Sequence, residues 1–147
     1  MQLTQFTDLG LRVLMYLSHQ GRDTPVTIAE VAERFTASRH HLVKVVHFMG
    51  QQGWLVTTRG KGGGLALAHP LNHYRLGATI RVLERLNELI DCGDPPCTLQ
   101  GRCHLKSILD EAMEALFERL DRYTLADAVG APTGQAIEML HRLRPVL

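Results

Sequence analysis

Residues 54–68 impose the tightest constraint on the fold. Trp54–Arg59 is rich in β-branched and aromatic residues, Leu65–Ala68 is aliphatic, and Gly60-Lys61-Gly62-Gly63-Gly64 stands between them. Two short strand-like runs joined by a glycine-rich turn predict a β-hairpin. The competing reading, a glycine loop that cradles nucleotide phosphates, needs a strand-to-helix context and a Gly-Lys-Ser/Thr ending. This run joins two strands and lacks that ending. Glycines at the tip would let the backbone approach a phosphate without a Cβ in the way. Arg59 and Lys61 place charge there.

Upstream, the spacing predicts three helices. Thr4 or Thr7 can open the first, with Phe6, Leu9, Val13 and Leu17 at helical intervals, and Gly21–Pro25 ends it. Thr27 and Glu30 form a capping-box pattern that starts a short helix reaching about Phe35. Ser38 is suited to cap a third helix to about Gln52, which Gly53 stops. Leu42, Val45, Val46 and Met49 fall on one face of it, and His40, Lys44, His47 and Gln51 on the other. Arg39 and His41 lie in its first turn. Two short helices, the second polar and basic on its outer face, make a helix-turn-helix. With the hairpin behind it, the pattern is a winged helix.

Charge points the same way. The net charge is +1, but no acidic residue occurs from Arg34 to Leu83, a stretch with seven Lys/Arg and five His. A solvated face normally mixes signs, so this one suits approach to a polyanion. At 5% aromatic residues, stacking on single-stranded bases has little to work with. A 45% hydrophobic content argues against disorder.

Leu76 to about Leu89 reads as a fourth helix, and residues 90–103 as a loop rich in Cys, Pro, Gly and Asp. A long amphipathic helix follows from His104 to Arg122, with Leu105, Ile108, Leu109, Ala112, Leu116 and Leu120 on one face. That face exceeds what one small winged helix covers and suits packing across a two-fold axis in a homodimer. Thr124 and Asp127 can cap a short turn, residues 130–134 read as a linker, and Gln135–Leu143 as helical or frayed. The expected class is mainly α with a small hairpin wing. The divisions are a DNA-binding domain over 1–89, a cofactor loop over 90–103, a dimerisation helix over 104–128 and a tail over 129–147.

The three cysteines fall within twelve residues as Cys92-x4-Cys97-x5-Cys103. Thiolates in that density suit an iron–sulfur cluster, zinc or copper(I). Structural zinc sites usually pair Cys-x2-4-Cys with a second such pair, a pattern absent here. Three thiolates with one non-cysteine ligand would leave one iron open to attack, a property that suits a sensor. His104 adjoins Cys103 and would diverge from it on a starting helix. A zinc-held loop and ordinary thiols remain alternatives at this point.

An enzyme is not expected: Cys-x-x-Cys, metal-hydrolase spacing and a nucleophile elbow are all missing. Met1–Leu17 lacks a basic leader and is interrupted by Asp8 and Arg12, and no apolar run nears the roughly 20 residues that span a bilayer. A cytoplasmic protein with no membrane partner is expected, where an odd cysteine count argues against a disulfide framework.

Several segments together resemble the winged-helix iron–sulfur transcriptional regulators, the IscR/NsrR-like family, and within it the nitric-oxide-sensing NsrR type. They are Met1–Arg12, Ser38–Lys44, Arg59–Gly64, the three cysteines and Tyr123–Asp127, so the resemblance covers about residues 1–128. It implies a homodimer that binds palindromic double-stranded promoter DNA while its cluster is intact and releases it when nitric oxide reacts there. It also implies a fourth ligand from an N-terminal aspartate of the partner subunit, at the position of Asp8 in this chain. The biogenesis-regulator type has a histidine three residues after the third cysteine, where this chain has Lys106. Three thiolates and a carboxylate favour a 4Fe-4S cluster, and 2Fe-2S is also compatible. The expected DNA contacts are Arg39, His40, His41 and Lys44 near base edges, Ser38 at a phosphate or as the cap, and Arg59 and Lys61 on the wing.

Overall fold

The computed structural model describes residues 2–86 and 88–143. Among the described residues, seven helices and one hairpin run in the order α1 (Gln5–Leu17), α2 (Ile28–Arg34), α3 (Arg39–Gln51), β1 (Leu55–Thr57), β2 (Leu65–Leu67), a 3-10 turn (Leu71–His73), α4 (Leu76–Glu84), α5 (His104–Leu120), α6 (Leu125–Ala128) and α7 (Thr133–Arg142). The mainly helical class with a hairpin wing is the one the sequence predicts.

Local chemistry sets most boundaries. The hydroxyls of Thr4, Thr27 and Ser38 accept from the backbone N–H groups of Thr7, Glu30 and His41 and so cap α1, α2 and α3. Half of the expected box at α2 is missing. Glu30 does not turn back to Thr27, because Arg22 and the Tyr16 hydroxyl hold its carboxylate. At α6 the box is complete, with Asp127 accepting from both the N–H and the hydroxyl of Thr124.

The hairpin is antiparallel, with Leu55 opposite Leu67 and Thr57 opposite Leu65, and Val26 adds a one-residue bridge to Leu65. Its glycines answer to the hairpin itself. Gly60 and Gly62 have φ of +94° and +85°, in the left-handed region. A Cβ on Gly63 would sit 2.1 Å from the Thr58 carbonyl oxygen. Closure of the turn, rather than access to a phosphate, therefore requires glycine at these positions.

One core unites α1, α2, α3 and the hairpin. Val13, Leu14, Tyr16, Val31, Leu42, Val45 and Met49 are all but inaccessible within it. Tyr74 closes its edge, donating its hydroxyl to the Trp54 carbonyl at 2.8 Å. A smaller core of Ile80, Met113 and Phe117 joins α4 to α5. That joint is firm: Asp121 accepts from the Ala78 N–H at 2.7 Å, and Arg81 pairs bidentately with Glu114 while lying over the Phe117 ring.

Three further expectations change. Helix α4 ends at Glu84, short of Leu89, because Arg85 takes a left-handed turn at φ +54° with its guanidinium 5.3 Å over Phe48. Helix α5 buries Met113 and Phe117, whereas Leu105, Ile108 and Leu116 on the face singled out by periodicity stay exposed. Residues 133–134, assigned to a linker, begin α7, which docks Ile137 into the body of the protein.

Candidate functional site

The outer face of α3 is a finished surface. Leu42, Val45, Val46 and Met49 anchor the helix, so Ser38, Arg39, His40, His41, Lys44 and His47 are left exposed. Arg59 and Lys61 are exposed on the hairpin that follows. Among the described residues, Arg39, Lys44, Arg59 and Lys61 form no ion pair with a carboxylate. By contrast Arg12, Arg22, Arg34, Arg81 and Lys106 are all paired. Unpaired cations on a rigid support can replace counterions on a phosphate backbone without first breaking a salt bridge. The sequence reading passed over Val43, exposed on α3 one turn after Arg39. Its i, i+4 relation to Arg39 was the available signal, and an exposed aliphatic side chain there suits a thymine methyl.

The second site lies where α4 gives way to α5. The loop closes by a bond from the Cys97 N–H to the Cys92 carbonyl at 3.0 Å, and Cys103 occupies the N-cap of α5. All three thiols are free and half-buried. An open cavity of about 550 Å³ is lined by Cys92, Cys103, Glu88, Asp91 and Lys106 among others. Desolvation first, then the nearby Cys97 and Cys103, push the Cys92 thiol above its ordinary value, while Lys106 acts the other way. Cys97 and Cys103 therefore each lie within electrostatic reach of Cys92. This donor set fits a soft metal group. Yet among the described residues no three His, Cys, Asp or Glu side chains come close enough to hold a single metal ion. In the single chain the thiols are neighbours without converging.

Asp8 is not part of that cavity. It stands half-exposed in the first turn of α1, where its carboxylate accepts from Arg12 Nε at 2.9 Å. The same end of α1 is tied to the last turn of α4, since Glu84 accepts from the N–H and the hydroxyl of Thr4 at 2.7 and 3.0 Å. Helix α1 thus connects the start of the cysteine loop with the core under α3. Lys106 is occupied, its ammonium donating to Asp110 at 2.6 Å and paired with Glu88 at 3.1 Å.

Solved structures with the same architecture include the global cysteine regulator CymR of B. subtilis, 23% identical, covering 87% of this chain and 95% of that one at a TM-score of 0.70. The oxidized form of CymR from Staphylococcus aureus is 23% identical, with coverage of 87% and 95% and a TM-score of 0.67. IscR from T. potens is 22% identical, with coverage of 99% and 94% and a TM-score of 0.67. At such identities the likeness is one of fold. The family model described as "Rrf2: Iron-dependent Transcriptional regulator" matches residues 3–131. Its members are DNA-binding transcriptional regulators, typically dimeric, and not enzymes. Among the described residues no helix is long and apolar enough to cross a membrane. With the winged helix, its unpaired basic face and the cysteine loop in place, this chain belongs to the Rrf2 family of transcriptional regulators.

Proposed function

We propose that the protein is an iron–sulfur repressor that senses nitric oxide, a homodimer holding palindromic promoter DNA until nitric oxide reacts at its cluster. The observation that supports this most is the character of the fourth-ligand position. Cys92, Cys97 and Cys103 offer three thiolates, and the side chain three residues after Cys103 is an ammonium engaged by Asp110 and Glu88. An ammonium is not a metal ligand, so the fourth donor must come from elsewhere. Asp8 of the partner subunit, half-exposed on α1, has the right chemistry.

When bound, the cluster would supply iron that reacts with nitric oxide, most readily where an oxygen ligand is weaker than thiolate. The remaining work is done by the chain. Arg39, His40, His41 and Lys44 read base edges from α3, Ser38 caps that helix beside a phosphate, and Arg59 and Lys61 contact backbone or minor groove from the wing. Asp8 links the two ends, because α1 packs on α3 and is bound to α4 through Thr4 and Glu84. Once Asp8 is released, the partner's first helix loses an anchor and the spacing of the two α3 helices shifts. A coupling of about 1–3 kcal/mol suffices for release.

Asp8→Ala tests this reading. The variant should retain iron and sulfide on three cysteines, yet respond to nitric oxide at a different rate or stoichiometry. If it binds DNA and responds as the parent does, Asp8 is not the fourth ligand. The thiols' failure to converge in the single chain favours a second reading, in which the same scaffold reports redox state or cluster supply, or holds zinc. Iron, sulfide and zinc contents separate these.

A further inference from the structure

Helix α7 begins at Thr133, beyond residue 131 where the family match ends, and neither the basic face nor the cysteine loop involves it. It is nonetheless well seated. Ile137 is buried, Leu140 packs on the main core, and His141 in the last turn stacks on Tyr16 of α1 with ring centroids 3.9 Å apart and planes 13° from parallel.

The polar contacts of His141 specify one protonation state. Nε2 lies 2.9 Å from the Tyr16 carbonyl oxygen, and Nδ1 lies 3.0 Å from Arg22 Nη1. A carbonyl only accepts and a guanidinium only donates. The neutral imidazole with its proton on Nε2 satisfies both. A second proton, on Nδ1, would face an N–H donor and a positive charge. Arg22 cannot easily retreat. Its Nε donates to the Thr24 carbonyl at 2.7 Å, Nη2 donates to Glu30 at 3.1 Å, and Nη1 also donates to Glu30. Glu30 in turn accepts the Tyr16 hydroxyl at 2.6 Å.

We infer that α7 is a pH-sensitive latch on the helix-turn-helix, closed by neutral His141 and released when that imidazole takes up a second proton. The groups around His141 come from every element packed there. Tyr16 lies on α1, His19 and Arg22 on the segment after it, Glu30 and the Arg34–Glu33 pair on α2, and the Glu138–Arg142 pair on α7 itself. Arg34 also donates to the Leu143 carbonyl at the end of α7. Glu30 is the nearby acid that would favour an imidazolium, and it is already satisfied by Arg22 and Tyr16. Burial first, then His19 and Arg22, hold the His141 pKa below its ordinary value, against the opposing pull of the Tyr16 carbonyl and Glu30. Because the docked imidazole is the weaker base, docking is complete above the ordinary histidine pKa of about 6.5 and weakens as pH falls below it. Tyr16 and Glu30 belong to the two helices that carry α3, so the latch braces the frame of the DNA-reading surface.

Amide hydrogen exchange on the full chain tests this, with protection factors corrected for intrinsic rates at about pH 7.5 and about pH 5.5. Protection in α7 should fall at least about threefold at the lower pH while that in α3 holds. His141→Gln keeps a donor and an acceptor but cannot titrate, so its α7 protection should stay within about twofold. Equal α7 protection at both pH values in the parent, or the same loss in H141Q, overturns the latch. Nitrogen NMR of the parent protein gives a check that needs no variant. It should show the Nε2–H tautomer for His141 and a titration midpoint below the ordinary histidine value of about 6.5. The opposite tautomer, or a midpoint at or above about 6.5, also overturns it.

Discussion

The half of this molecule that carries α3 and the hairpin is finished within one chain, and the cysteine half is not. Helix α3 rests on a closed core, and its cations and those of the wing stand unpaired among the described residues. In the cysteine half, Lys106 is paired with Asp110 and Glu88, the thiols do not converge, and Ile90, Leu99, Leu105, Ile108 and Leu116 stay exposed. The proposed function accounts for this difference. Attraction to a polyanion needs only free charge on a rigid support, which one chain can build in advance. A site proposed to report a signal would have to gain or lose part of itself, and on that reading it is completed by a partner, a cofactor, or both.

Four substitutions sharpen or break that contrast. The largest effect belongs to Leu42→Ala, which empties the core beneath α3. It should cost about 2–5 kcal/mol in chemical denaturation. A loss well under about 1 kcal/mol would mean that the reading surface is not held from within. Next comes Ile108→Asp on the uncovered face of α5. Sedimentation should show a dimer weakened at least about tenfold with helix content intact, since roughly 1.4 kcal/mol of interface suffices for that change. An unaffected dimer would place the interface elsewhere. Lys61→Ala should weaken specific and random duplexes alike and flatten the salt dependence by about one unit. If only the specific duplex is affected, the wing reads sequence rather than phosphate. The smallest change is expected for Cys92→Ser in the metal-free protein. It should move stability by no more than about 0.5 kcal/mol, because the loop contributes nothing to either core.

What could be read from sequence was what local chemistry decides. The caps at Thr4, Thr27, Ser38 and Thr124, the span of α3 and the hairpin all rest on neighbours a few residues apart. The misses came from contacts made across the chain. Glu30 left its capping box for Arg22 and Tyr16, and Arg85 ended α4 early over Phe48. Helix α5 carries apolar residues on more than one face. Periodicity identified the helix but could not tell that Met113 and Phe117, not Leu105 and Ile108, would meet α4. The docking of α7 gave no local signal, since His141 finds Tyr16 across 125 residues of sequence. At the candidate sites the exposed basic residues were legible, because an acid-free stretch is visible in one dimension. Whether the cysteines converge was not, because the path of the loop, and not the spacing of the residues along it, decides that.

On the function proposed, the cysteine half is completed by an iron–sulfur cluster whose reaction with nitric oxide frees DNA. Anaerobic purification tests it most directly, with iron and sulfide assayed and operator binding followed as nitric oxide is added. The account predicts iron and sulfide in the protein, a visible absorption spectrum altered by stoichiometric nitric oxide, and loss of operator binding in step. Zinc in place of iron, or a cluster indifferent to nitric oxide, would contradict it and leave the winged helix answering to another signal.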